Sequence, residues 1–349
     1  MGFNILGLNE NIIKGLQLQE ITQPTPVQTL AIPTIAENND VIIQSETGSG
    51  KTLTYLLPLY AKQADVIAKG MQAIILVPTK ELAMQIQNQV ELLSKNTTIA
   101  LKSVALFGDV NIKGQILKLK EKPQLIIGTC GRILELIQKK NITAHTIQTI
   151  VFDEADKLLT KSNMESIKAI RKAVMRDTQV VFLSASITNQ TLETAKDLSK
   201  NLQVIKTSDA LTIPDTIVHQ FLIVRQGEKI EYLRKLINIL KPQRSLIFIN
   251  SLDEVEKATQ KMQSYHYKID CIHSSNKKQD RQRMLVELKD GTLQYLITTD
   301  LLARGLHIDD ISTVFSLSLG EDAIDYLHRC GRTGRTGHTD TSICIVSEE

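Results

Sequence analysis

The 349-residue chain exceeds the usual single-domain core, and its 42% hydrophobic and 23% charged residues give a folded chain with ample apolar surface to bury rather than a disordered one. Forty-one Lys and Arg against 38 Asp and Glu leave a net charge of +3, too little to mark a polyanion-binding protein by charge alone, so any nucleic-acid surface has to be local. The cysteines at 130, 271, 330 and 344 lack the close pairing of a zinc site or redox motif, and no apolar run reaches the roughly 18 residues of a membrane span, so a cytoplasmic protein with no membrane partner is expected.

In chain order, short β-branched runs appear at "DVIIQ" (40–44), "AIILV" (73–77), "QLIIG" (124–128), "TIVFDEAD" (149–156) and "VVFLSAS" (180–186). Between them lie longer amphipathic stretches such as "KELAMQIQNQVELLSK" and "GRILELIQKK". That alternation predicts βα units around a mainly parallel sheet buried on both faces. The pattern restarts with "SLIFIN", "KIDCIHS", "QYLITTD" and "TVFSLS" after the polar, proline-bearing "KTSDALTIPDT" (206–216). The expected architecture is two tandem α/β domains with a cleft between them: residues 1–207, a linker at 208–216, and residues 217–349.

"QSETGSGKTLTYLLP" (44–58) sits between a strand and a helix, as a phosphate-binding loop does, with Ser45 at the position usually held by glycine. Ser45, Thr47, Gly48, Ser49 and Gly50 form the turn whose backbone N–H groups face phosphate oxygens. Lys51 reaches the β- and γ-phosphates, and the Thr52 hydroxyl suits Mg²⁺. In "IVFDEAD" a buried strand ends in acids, where ligands of open α/β sheets bind. Asp153 is a candidate to hold Mg²⁺, partly through water, and Glu154 to polarise the attacking water.

With these two segments in hand, the chain resembles a DEAD-box RNA helicase of superfamily 2, a protein of two RecA-like domains, over nearly its whole length. "TQPTPVQ" resembles the adenine-reading element, which implies that Gln28 bonds the adenine edge and Phe3 packs on the ring. "VPTKELAMQ", with Pro78, Thr79 and Lys80, resembles the first RNA-contact motif, with Lys80 in place of arginine. "FGDV" resembles a Gly-Gly element, with Gly108 kept and Asp109 at the second glycine; "GTCGR" resembles Thr-Pro-Gly-Arg, with Thr129 and Arg132 kept and Cys130 replacing proline. Ser184 and Ser186 of "SAS", with Asp156 and Asp300, match the residues that link hydrolysis to domain closure.

In the second half, "TTDLLARG" (298–305) and "HRCGRTGR" (328–335) match the family. The resemblance implies arginine fingers at Arg332 and Arg335, a catalytic role for His328, nucleotide contacts at Gly305 and His307, and RNA contacts at Arg281 and Thr298. Three departures stand out: Lys278 where the family's glutamine precedes Arg281, Ser274 for a glycine, and His307 for the acid that touches the ribose, with Asp309 two residues on. The implied activity is that of an ATP- and Mg²⁺-dependent, monomeric RNA helicase. It would grip the backbone of single-stranded RNA or a short duplex without sequence readout, and the resemblance suggests ribosomal RNA or a ribonucleoprotein as a target. The rival reading is a nucleotide-gated RNA clamp or assembly factor with little unwinding.

Overall fold

The computed structural model describes residues 2–45, 49–65, 70–108, 110–207, 216–225, 227–273, 276, 278–300, 311–320, 323–331, 333 and 340–347. Thr47, Gly48, Asp109, linker residues 208–215, Ser274, Gly305, His307, Asp309, Arg332 and Arg335 lie outside the described residues, as do the side chains of Lys278 and His328. The chain divides into two compact units, Met1–Leu211 and Thr212–Glu349.

In the first unit the apolar runs become the strands β1 (Val41–Gln44), β2 (Ala73–Leu76), β3 (Ser103–Leu106), β4 (Leu125–Gly128), β5 (Thr149–Asp153), β6 (Gln179–Ser184) and β7 (Gln203–Lys206). They form one sheet in the order β3-β4-β2-β5-β6-β1-β7, and every pairing is parallel. Helices α1 (Glu10–Gln17), α2 (Pro26–Ala36), α3 (Lys51–Asp65), α4 (Lys80–Asn96), α5 (Ile112–Leu119), α6 (Cys130–Gln138), α7 (Ala155–Leu158), α8 (Lys161–Ala173) and α9 (Asn189–Leu198) connect and cover it.

Because successive strand residues face opposite ways, the same runs feed two cores. Val41, Ile43, Ile75, Val151 and Val181 pack with α1 to α4, whereas Ile42, Ile74, Ile150, Phe152 and Phe182 pack with α5, α6, α8 and α9. Phe152 and Phe182 stack on neighbouring strands, 4.7 Å between ring centroids. Gly128 ends β4 where a Cβ would fall 2.1 Å from the Leu106 carbonyl, so only glycine lets β3 and β4 close at that edge.

The second unit repeats the plan. Strands β8 (Ile217–Val224), β9 (Ser245–Phe248), β10 (Ile269–Ile272), β11 (Tyr295–Thr298), β12 (Thr313–Ser316) and β13 (Asp340–Ser347) lie in the order β10-β11-β9-β12-β13-β8, again in parallel pairs. Ile247, Ile297 and Phe315 pack on α10 (Lys229–Leu240) and α11 (Leu252–Ser264); Leu246, Leu296 and Val314 pack on α12 (Lys278–Asp290). The remaining described helix, α13, spans Ala323–Cys330. Two parallel sheets, each flanked by helices on both faces, are the tandem RecA-like domains that the sequence predicts.

Candidate nucleotide and RNA site

The first unit's motif residues gather at the carboxyl ends of its strands, the edge at which open parallel sheets bind ligands. Sheet order divides that edge. The phosphate-loop and acid residues follow β1, β5 and β6, while the candidate RNA residues follow β2, β3 and β4.

Ser45 does more than keep the turn tight. Its N–H donates to the Ser184 carbonyl at 3.0 Å, and its hydroxyl donates to Ser49 Oγ at 2.7 Å, which closes the loop across its own mouth. Lys51 Nζ donates to the Ser45 carbonyl at 2.6 Å, so the ammonium is held over the loop. Gly50 has φ +87°, and a Cβ there would meet Gln28 Nε2 at 2.4 Å, so this position needs glycine on both counts.

Asp153, the last residue of β5, is 4% exposed. Tyr55 in α3 donates its hydroxyl to Asp153 Oδ2 at 2.8 Å, and the Glu154 N–H donates to Oδ1 at 3.1 Å. Burial raises the Asp153 pKa above the ordinary carboxylate value; the Tyr55 hydrogen bond and the charge of Lys51 pull it back only in part. Burial likewise pushes the Tyr55 phenol well up, with the charge of Asp153 adding to it, so the phenol stays protonated and donates. Glu154 caps α7 with φ 58° and ψ 55°, a left-handed conformation that a non-glycine residue adopts at a cost of about 1–3 kcal/mol. Strain of this kind concentrates where a side chain has to be turned toward a ligand.

Ser184 donates to Asp156 Oδ1 at 2.7 Å, and its Oγ accepts the Ser186 N–H at 3.3 Å. The acid motif and "SAS" are therefore joined inside this unit. Asp156 Oδ2 and the Ser186 hydroxyl are buried without a hydrogen-bond partner among the described residues, so this pair keeps polar capacity in reserve.

The two residues expected at the adenine are buried. Phe3 is 1% exposed and packs with the first core. Gln28 is also buried. Its Oε1 accepts the Thr25 N–H at 3.0 Å in a capping box at the start of α2, and its Nε2 donates to the Gly50 carbonyl at 3.1 Å. The amide thus ties the adenine element to the phosphate loop, and each end keeps one further hydrogen-bonding position.

Thr79, after half-buried Pro78, caps α4, its hydroxyl accepting the Leu82 N–H at 3.2 Å. Lys80 Nζ sits 5.2 Å from the Phe107 ring centroid. Gly108 is exposed, and a Cβ there would meet nothing within 4 Å. Thr129 is the N-cap of α6. Arg132 is held by Glu135 at 3.1 Å, Gln115 Oε1 at 3.1 Å and the Val110 carbonyl at 3.3 Å. Gln115, itself bonded to the Phe107 carbonyl at 3.0 Å, carries no sequence signal for this supporting role. Cys130 fills its proline position as a buried first helical residue, its thiol pushed up to about 11 by burial and hence inert.

In the second unit Thr298 is fully buried at the end of β11, and Arg281 lies on α12. Asp300 forms a bidentate pair with Arg329, 2.6 Å at each oxygen. Arg329, 1% exposed, also donates to the Ser318 carbonyl and to Asn250 Oδ1, and lies over the Phe248 ring. Sequence reasoning passed over this residue for its neighbours Arg332 and Arg335, although its place in "HRCGR" was a usable signal. Thr333, between those two arginines, is anchored to Asp340 Oδ2 of β13 at 2.7 Å.

A glycine loop opening a helix and a buried acid on a nearby strand, in the first of two RecA-like domains, define a P-loop nucleoside-triphosphate-binding core. Comparison with known proteins gives the particular family. Residues 25–195 match the DEAD/DEAH box helicase family and residues 228–337 the helicase conserved C-terminal domain. The chain is 37% identical over 325 residues to the DEAD-box ATP-dependent RNA helicase CshC of Bacillus cereus, covering 93% of this chain and 82% of that one. It is 30% identical over 346 residues to the DEAD-box ATP-dependent RNA helicase CshA of Geobacillus kaustophilus, covering 99% and 73%. Among solved structures, Saccharomyces cerevisiae Dbp5 bound to RNA and ADP–BeF3 superposes with a TM-score of 0.87 at 27% identity, covering 100% of this chain and 90% of that one. This chain belongs to the DEAD-box helicase family.

Proposed function

We propose that the protein is an ATP-dependent RNA helicase whose first unit binds ATP and RNA side by side on one sheet edge and whose second unit completes the site on closure. The observation that carries this reading is the buried, pKa-raised Asp153 carboxylate near Lys51, joined through the neighbouring Asp156 and Ser184 to "SAS". The named helicases among its relatives favour this over the clamp reading.

Among the described residues no group of three or more His, Cys, Asp or Glu side chains could hold a metal unaided. The oxygen donors Thr52 and Asp153 instead suit a hard cation that keeps water and phosphate in its shell, as Mg²⁺ does. When bound, that ion screens the phosphate charge and polarises the γ-phosphoryl group.

Lys51 exchanges the Ser45 carbonyl for phosphate oxygens, while Phe3, Gln28, Gly305 and His307 receive the nucleoside. Glu154 orients the attacking water and takes its proton as the water oxygen bonds to the γ-phosphorus and ADP departs. Arg332 and Arg335, together with His328, compensate the charge of the transferring phosphoryl group, so catalysis requires closure. Pro78, Thr79, Lys80, Gly108, Thr129, Arg132, Arg281 and Thr298 hold the RNA backbone, and Ser184, Ser186, Asp156 and Asp300 couple the two events. ATP and RNA, favouring one closed state, strengthen each other's binding reciprocally. A monomer acting on ribosomal or ribonucleoprotein RNA in the cytoplasm is part of this reading; no helix among the described residues is long and apolar enough to cross a membrane. ATP turnover measured with and without single-stranded RNA tests the coupling: stimulation by RNA is expected, and equal rates contradict it.

A further inference from the structure

Tyr55 sits in the apolar stretch "TLTYLLP" of α3, where phenylalanine would fill the same space. It is fully buried, and a buried hydroxyl is costly unless bonded. Its partner is Asp153 Oδ2 at 2.8 Å, 98 residues away in sequence. The bond ties the helix that begins with Lys51 and Thr52 to the strand that ends in Asp153. We propose that Tyr55 is a positioning residue for the magnesium–nucleotide site, its phenol fixing the orientation of the Asp153 carboxylate and the spacing between Asp153 and Thr52.

A carboxylate only accepts hydrogen bonds, so the phenol proton points at Asp153, and the phenol oxygen keeps lone pairs on its other side. Thr52 lies one helical turn before Tyr55 on the same face, close enough for its side chain to lower the phenol pKa. The phenol thus orders the Asp153 carboxylate directly and, through the helix that carries Thr52, sets the distance between the two residues assigned to the ion. Without it, Asp153 Oδ2 is left buried with no donor, and the carboxylate either turns or takes up a proton.

This inference rests on the metal–nucleotide reading above, and the experiment separates the two. Binding of a non-hydrolysable ATP analogue to the full chain is titrated with Mg²⁺ for the wild type, Tyr55→Phe, Asp153→Asn and the double variant. In Tyr55→Phe the Mg²⁺ midpoint is expected to rise about tenfold, the usual scale for removing an outer partner of a metal ligand, while affinity without Mg²⁺ stays within about twofold. In the Asp153→Asn background the same change is expected to have no further effect on the midpoint. A Tyr55→Phe midpoint equal to wild type, with only a lower melting temperature, reduces Tyr55 to core packing and overturns the proposal. So does a shift that persists undiminished beside Asp153→Asn. Wild-type binding that ignores Mg²⁺ overturns the metal reading itself.

Discussion

Asp153 and Asp300 each follow the carboxyl end of a strand, one ending β5 and the other two residues beyond β11, and they are held in opposite ways. The hydrogen-bond partners of Asp153 are a phenol and a backbone N–H, both neutral, so its burial is relieved only in part and its pKa is raised. Both oxygens of Asp300 are taken by the fork of Arg329, which also ties Ser318 and Asn250. A buried acid with neutral donors retains something for a cation to satisfy. An acid clamped by a bidentate arginine is a strut. The partner of each acid decides which of the two it is.

The largest test of that contrast lies beside Asp153. Glu154→Gln is expected to lower ATP turnover by about 10²- to 10⁴-fold, the usual loss with a general base, while ATP still binds. Lys51→Ala is expected to lose ATP binding itself. Equal loss of binding in both variants removes Glu154 from the chemistry.

On the Asp300 side, Arg329→Met leaves a mostly buried carboxylate without its counter-charge and is expected to destabilise the second unit by about 3–5 kcal/mol in denaturant unfolding. Arg329→Lys is expected to restore only part of this, because a lysine cannot reproduce the fork. Unchanged unfolding in Arg329→Met contradicts the strut.

The strain on Asp153 has a sign that pH reveals. With its folded pKa raised above the unfolded value of about 3.9, the native chain holds a proton more firmly than the unfolded one. The stability this contributes is complete below the unfolded pKa and is lost as pH rises through the folded pKa. Asp153→Asn is therefore expected to melt higher than wild type at neutral pH, with a gap that narrows as pH falls toward 4. An Asp153→Asn chain that melts lower at neutral pH contradicts the idea that the ionised carboxylate is held at a cost.

The smallest expected effect concerns Thr79, which caps α4 as well as facing the expected RNA edge. Thr79→Ala is expected to cost about 1 kcal/mol of stability, and Thr79→Ser to restore it. If Thr79→Ala unfolds at the wild-type midpoint, the cap is idle.

The central strands were legible because parallel strands covered on both faces are unbroken apolar runs, as in "DVIIQ" and "TIVFD". Their order was not, since crossover connections leave no local trace of which strands become neighbours. The β3 strand, "SVAL", with half-buried Ser103 and Ala105, carried too weak a pattern to be picked out. Tyr55 was hidden for the opposite reason: among Leu and Thr in an apolar helix, an aromatic residue reads as filling, and only the fold supplies its carboxylate. The burial of Phe3, at 1% exposed, likewise left no trace in the sequence. A motif thus makes the chemistry expected of single residues legible in the sequence. A contact between distant segments, such as that of Tyr55 with Asp153, is not legible there.

Strand separation of short RNA duplexes by the wild-type chain bears most directly on the whole account. The expected result is ATP-dependent unwinding that falls steeply as the duplex lengthens, accompanied by RNA-stimulated ATP turnover. ATP-gated binding of RNA with no separation of even the shortest duplex would contradict helicase action and restore the clamp.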